Sequence, residues 1–284
     1  MGEGVGEIFS MKKNKQSLFS QNKHKIRLSA IIIARNEEEK ISDCLKSLAW
    51  ADEVIVVDNS SVDSTYSIAK KEGVRVVKAS EKYVLRYSKL RNLGLEKARG
   101  KWVLYVDADE RVSPELRKEI QPILSGKCLL DSGVVAFALP RRNFIFGFEF
   151  KHVGLWPDYV IRLFLKEKLL RWEKDLHEEP VFEGKVGHLE SPLIHIKHKN
   201  LTEMIDKTNG WSDIEAKLMF DAGHPPMNVP RFLTAMFREF WLRMIRQTAF
   251  MDGVVGVIYA LYQVFSKFIS YAKLWEIQVA RRKS

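Results

Sequence analysis

Only two cysteines, Cys44 and Cys128, occur in 284 residues. That is too few for a disulfide framework, and neither sits in a CxxC or a Cys/His cluster, so a reducing compartment fits and a structural zinc does not. No uncharged apolar run approaches the roughly 18 residues of an ordinary membrane span. No GxGxxG follows the first apolar segment and no GxxxxGK[ST] occurs anywhere, so dinucleotide and P-loop readings fail on their own signatures. The basic start of the chain lacks an apolar h-region, which argues against a secretory signal peptide. What is present, 46% hydrophobic and 29% charged residues, excludes a disordered or collagen-like chain. The length suits one large domain or one domain with an appendage.

The formal charge of +10 is confined to the two ends. Residues 1–27 carry six Lys/Arg against two acids and residues 228–284 carry nine against three, while the remainder balances at 31 against 31. A nucleic-acid reader would be expected to carry a basic stripe on its folded body, so no nucleic-acid partner is expected and the ends point to an anionic membrane surface. Residues 1–26 read as a basic flexible tail.

From Leu28 to Ala34 runs LSAIIIA, too short for a helix and read as a strand buried on both faces. Helical patterns then alternate with strands at Val54–Val57, Val74–Val77 and Trp102–Val106, the helix before the last spanning Tyr87–Ala98. The alternation predicts an α/β domain with a mainly parallel central sheet flanked by helices, Rossmann-like in its first half, over residues 27–226. Ligands of such sheets bind beyond the carboxyl ends of the strands. Those ends read Ala34-Arg35-Asn36-Glu37, Asp58-Asn59 and Asp107-Ala108-Asp109-Glu110.

Asp107 and Asp109 alternate along an extended backbone, so their carboxylates project the same way about 6–7 Å apart. Oxygen ligands of this kind suit Mg²⁺ or Mn²⁺ shared with substrate phosphates. Asp58 adds a third carboxylate at the same edge. His195, between apolar neighbours, is either packed or a further metal ligand. Arg162 follows Asp158 by four residues in a stretch readable as strand or short helix, and either pairs with Asp158 or contacts the donor phosphate or the acceptor.

The segments IIIARNEEEKISDCLKSL, VIVVDNSSVDST and LRNLGLEKARGKWVLYVDADERVSPEL, in this order and spacing, resemble family 2 inverting glycosyltransferases of the GT-A fold. The second half, from GLWPDYVIRLF to LESPLIHI, is similar to bacterial enzymes that build lipopolysaccharide core or related envelope glycans. The resemblance implies that Ala34, Arg35, Asn36 and Glu37 line the nucleotide pocket, that Asp58 accepts from the base, and that Arg91 lies near the diphosphate. It further implies that Asp107 lies near ribose and metal and that Asp109 holds the metal. Inversion requires a general base on the acceptor hydroxyl. The candidates are Asp158, Asp175, Glu178 and Glu179, with Glu178 favoured by the resemblance. A His-Glu pair replaces the Glu-Asp of many relatives, and the processive QxxRW motif is absent, which favours transfer of a single sugar. The implied donor is a UDP-hexose such as UDP-glucose, and the implied acceptor a glycan or glycolipid.

Past Gly223-His-Pro-Pro226 the composition shifts to large apolar residues at helical spacing interleaved with Arg231, Arg238, Arg243 and Arg246. Residues 227–284 are therefore expected to be an amphipathic helical segment that associates with a membrane or mediates homo-oligomerisation. The expected location is the cytoplasm, peripheral on the inner face of the cytoplasmic membrane. Two other classes compete: a non-catalytic scaffold binding membrane or nucleic acid, and a nucleotidyltransferase, which would need a glycine-rich phosphate loop that the sequence lacks.

Overall fold

The computed structural model describes residues 26–84, 86–126, 133–174 and 178–283. Asp175 among the candidate bases, Cys128, and the basic tail as far as Lys25 lie outside these residues. The first half alternates β1 (Leu28–Ala34), α1 (Ile41–Ser47), β2 (Glu53–Asp58), α2 (Thr65–Lys71), β3 (Arg75–Lys78), α3 (Tyr87–Lys97) and β4 (Trp102–Asp107). β5 (Glu110–Val112) and α4 (Pro114–Leu124) follow. The second half is β-rich: β6 (Val134–Ile145), β7 (Phe148–Glu149), β8 (Asp158–Leu165), β9 (Leu169–Glu173), β10 (Glu179–Phe182), β11 (Lys185–His188) and β12 (Leu193–His198). Three long helices close the chain: α5 (Leu201–Asp221), α6 (Val229–Phe240), which continues as a π-helical segment to Arg246, and α7 (Gly253–Lys283).

The central sheet runs β3-β2-β1-β4-β8-β6-β12-β5, with β7 and β11 also on β6. Its first four strands are parallel, as the alternation predicts. β8 enters antiparallel between β4 and β6 and turns the second half into a mixed sheet. Every side chain of β1 is buried. Ala30 and Ile32 pack into the layer of α1 and α4, while Ile31 and Ile33 join the layer of α3, so a continuous apolar run is what this position demands. Gly94 lets α3 lie close to β1, since a Cβ there would come within 2.4 Å of the Ile31 side chain.

The C-terminal helices are not a detached appendage. α5 packs along α7 through Lys267 to Glu215 and Lys273 to Asp213, both 2.7 Å. Met204, Ala249, Tyr259 and Ala260 share a core with Ile145 and Phe150. One result differs from the sequence expectation about membrane spans. Residues Ala249–Arg281 form a helical stretch long and apolar enough to cross a membrane, with hydropathy 1.4, because single charges such as Lys267 interrupt the uncharged run without removing its apolar average.

Candidate active site

The register of the parallel strands gathers the polar residues at one edge. Ala34 stands opposite Asp58, and Ile33 opposite Asp107. The chain leaves β1 and β2 through left-handed residues, Asn36 at φ 54° and Ser60 at φ 57°, conformations that Asn tolerates better than most residues and that cluster where function requires a sharp exit. The Asn36 side chain accepts from the Val62 amide at 2.9 Å, binding the two loops together. Beyond this edge lies a cavity of ≈ 670 Å³, walled on one side by Arg35, Glu37, Asn59, Arg91, Asp109 and Glu178 and on the other by side chains of α5 and α7.

The two aspartates of the DxD have different surroundings. Asp107 gives one oxygen to the Arg162 guanidinium and the other to Arg91 at 3.2 Å. Burial opposes its charge, but the two arginines hold its carboxyl far below the ordinary range. Asp107 thus has two arginine partners while its side chain still borders the cavity. Beneath it Glu110, fully buried, accepts from the Asp107 amide at 2.9 Å and from Arg162 at 3.2 Å. Glu110 directly follows the DxD in sequence, and its role as the buried counter-charge was not foreseen.

Asp109 faces His195, with 3.4 Å between Oδ2 and Nε2. Burial raises its pKa, the His195 contact lowers it, and the net direction is down. Asn143, fully buried and also not foreseen, settles which nitrogen of the ring carries the proton. Its amide nitrogen donates to the Leu155 carbonyl (2.9 Å) and to Asp158 (3.2 Å), so its oxygen must accept from His195 Nδ1 at 2.7 Å. A neutral His195 therefore presents the Nε2 lone pair to the Asp109 carboxylate. Two lone pairs facing each other at this distance call for a cation between them, either a proton or a metal ion. Among the described residues no group of three or more His, Cys, Asp and Glu is arranged around a metal position. A nitrogen and a carboxylate nonetheless fit an ion that completes its shell with substrate phosphates and water.

Arg91 lies over the Trp172 ring at 4.9 Å and reaches Glu178 at 2.7 Å. Glu178 opens on the cavity. Glu179, the first residue of β10, is exposed and paired with Lys174 at 2.6 Å, and it does not line the cavity. Asp158 is bound by Arg141 at 2.7 Å and does not line the cavity. Nor does Arg162, which is buried beneath Asp107. The expected Asp158–Arg162 pair does not form, because β8 is a strand and residues four apart stand about 13 Å from each other. Asp58 is 3% exposed, and its Oδ1 has no hydrogen-bond partner among the described residues; both side-chain polar atoms of Asn59 share that state. Ala34 is buried and contributes its carbonyl to the Asn59 amide (2.9 Å). Glu37 lies at the cavity wall, and burial pushes its carboxyl up. Across the cavity Tyr87 of α3 stacks with Trp211 of α5 at 6.2 Å between ring centres, a bridge between distant segments that no local pattern announces.

Comparison with known proteins adds the following. Residues 29–151 match the family model described as glycosyl transferase family 2. The chain is 26% identical over 259 residues to the lipopolysaccharide core biosynthesis glycosyltransferase LpsC of Rhizobium meliloti, covering 89% of this chain and 93% of that one. It is 28% identical over 267 residues to an uncharacterized glycosyltransferase of Rickettsia typhi, covering 90% and 89%. Among solved structures, the S. aureus protein TarS (residues 1–349) in complex with UDP aligns with a TM-score of 0.44 and 15% identity, over 91% of this chain and 92% of that one.

Proposed function

We propose that this chain, whose residues 29–151 match the glycosyl transferase family 2 model and which resembles a glycosyltransferase along most of its length, moves a single sugar with inversion. The donor is a nucleotide diphosphate sugar, UDP-glucose or another UDP-hexose, and the acceptor is a lipopolysaccharide-core or other lipid-linked envelope glycan on the cytoplasmic side of the inner membrane. The observation that carries the reading is the Asp109–His195 pair, with its tautomer fixed by Asn143, at the same strand edge as the unsatisfied Asp58 and Asn59.

In this reading the buried polar atoms of Asp58 and Asn59 take the hydrogen bonds of the base, since burying them unpaired costs about 1–3 kcal/mol each. Asp109 and His195 would hold Mg²⁺ or Mn²⁺, whose charge offsets that of the departing diphosphate. Arg91 lies between Glu178 and Asp107 and orients Glu178 toward the cavity. Glu178 takes the proton of the acceptor hydroxyl as its oxygen bonds to the anomeric carbon. The bond from that carbon to the diphosphate breaks, and the electron pair leaves with the nucleoside diphosphate. Arg162 and Glu110 form the buried support behind Asp107 and these groups.

The test is incubation of the purified chain with UDP-glucose and a de-acylated core oligosaccharide, following UDP release and the anomeric configuration of the product by NMR. A product of inverted configuration, lost in Glu178→Gln, supports the reading. Retained configuration, or full transfer by Glu178→Gln, overturns the role given to Glu178.

A further inference from the structure

Most of the exposed large apolar side chains among the described residues lie on the C-terminal helices. Leu233, Phe237 and Trp241 follow one line along α6 and its π-helical extension, and Ile258, Leu261 and Phe265 follow another along α7, with exposures from 42% to 67%. The two helices are coupled through the Phe232–Phe268 ring contact, 5.8 Å between centres.

Most exposed charges around this face are basic, with Glu276 near the far end of α7 an exposed acid. Between Met227 and Trp275 the sequence has two acids, Glu239 and Asp252, and both turn inward. Glu239 pairs with Arg243 at 2.7 Å. Asp252 accepts from the His152 amide at 2.9 Å and contacts that residue's ring at 2.7 Å. Lys267 and Lys273 turn toward acids of α5. Arg231, Arg238 and Arg246 remain exposed. A symmetric contact between two copies would set this arginine-bearing face against itself, whereas an anionic surface complements it.

We infer that α6, its π-helical extension and α7 lie in the interfacial plane of an anionic bilayer, apolar lines inserted and arginines at the phosphates, so that the cavity serves an acceptor anchored in that same leaflet. The helices lie along the membrane, not across it. Although Ala249–Arg281 is long and apolar enough to span, spanning would strip α7 from α5 and carry Lys267 and Lys273 into hydrocarbon. While Ile258, Leu261 and Phe265 face outward, Tyr259, Tyr262 and Gln263 of the same helix line the cavity. One helix, about 10–12 Å across, separates bilayer from cavity, so the accepting sugar stands within a few residues of its lipid. This statement about the acceptor rests on the sugar-transfer reading, whereas the surface itself does not.

The test uses the full chain and sedimentation with vesicles of phosphatidylethanolamine and phosphatidylglycerol, compared with pure phosphatidylcholine, at 0.15 M salt. Binding to the anionic vesicles is expected to be at least tenfold tighter. The triple variant Leu233→Ser, Phe237→Ser, Trp241→Ser should lose at least tenfold while its circular dichroism and UDP binding stay unchanged. Arg231→Glu, Arg238→Glu, Arg246→Glu should lose as much, and tests the surface even where the serine variant fails to fold. Three results overturn the proposal: parental affinity of both variants for anionic vesicles, as when the basic tail alone binds; no vesicle binding by folded chain; or a lipid-free dimer that the same substitutions dissolve. Vesicle binding without any sugar transfer removes only the statement about the acceptor.

Discussion

Glu53 and Asp58 stand at opposite ends of β2, both nearly fully buried, and their surroundings differ. At the amino end, Glu53 accepts from the Ser29 hydroxyl (2.5 Å), the Arg99 amide (2.9 Å) and the Arg99 guanidinium (2.8 Å). Its acceptor capacity is used by the protein itself. At the carboxyl end, Asp58 Oδ1 and the side-chain amide of Asn59 have no partner among the described residues, and Asp109 faces His195 Nε2 at 3.4 Å. The closed end is satisfied within the fold, whereas the open end leaves buried polar atoms without a partner among the described residues. A buried carboxylate alone does not mark a site; the state of its hydrogen bonds does.

This contrast is broken most severely at the open end. Glu178→Gln should lower transfer about 10²–10⁴-fold while leaving calorimetric UDP binding and the thermal midpoint unchanged. Asp109→Asn should cost about 10²–10³-fold in kcat, with the metal requirement for nucleotide binding lost as well.

The closed end should respond in stability and not in turnover. Glu53→Gln is expected to destabilise by about 1–3 kcal/mol in urea unfolding, with kcat retained. Burial raises the Glu53 pKa, hydrogen bonds from Ser29 and Arg99 lower it, and the net direction is down. A carboxyl depressed in the folded state contributes stability that is fully present above the unfolded value, about 4.3, and is lost as pH falls through the folded one. The parent should therefore lose stability on acidification below about pH 4.3 more steeply than Glu53→Gln. Equal slopes would show that this end is not held by that carboxylate.

Smaller effects sharpen the comparison. Asp58→Asn should weaken UDP binding about tenfold, a loss of about 1.4 kcal/mol, and change stability by less than about 0.5 kcal/mol, because no intramolecular bond of Oδ1 is lost. Glu179→Gln, on the outward face of β10, should leave transfer within about twofold; a large loss would move the base from Glu178 to its neighbour.

The open end was largely legible in the sequence because its residues follow directly on apolar runs: Asp58 after VIVV, and Asp107 and Asp109 after WVLYV. Strand periodicity then places them at one edge. Glu178 rests on the family resemblance, and His195 is one of two options, since its surroundings are contributed by Asn143 of β6 and by Asp109 in the turn before β5. Glu110, Asn143 and Trp211 are not legible in the sequence because their contacts with Arg162, His195 and Tyr87 reach across 52 residues or more, and no local pattern encodes such partners. Arg162 is open between a pair with Asp158 and a substrate contact in the sequence because the stretch reads as strand or helix, and only the helix would bring residues four apart together.

The central claim is that Asp109 and His195 hold a divalent cation together with the donor's diphosphate. Calorimetric titration with UDP, with and without Mn²⁺, on the parent chain and on His195→Ala tests it most directly. The account predicts that Mn²⁺ tightens UDP binding at least tenfold in the parent and has no such effect in His195→Ala. Equal affinity with and without the metal in the parent, or no nucleotide binding by the folded chain, would contradict it.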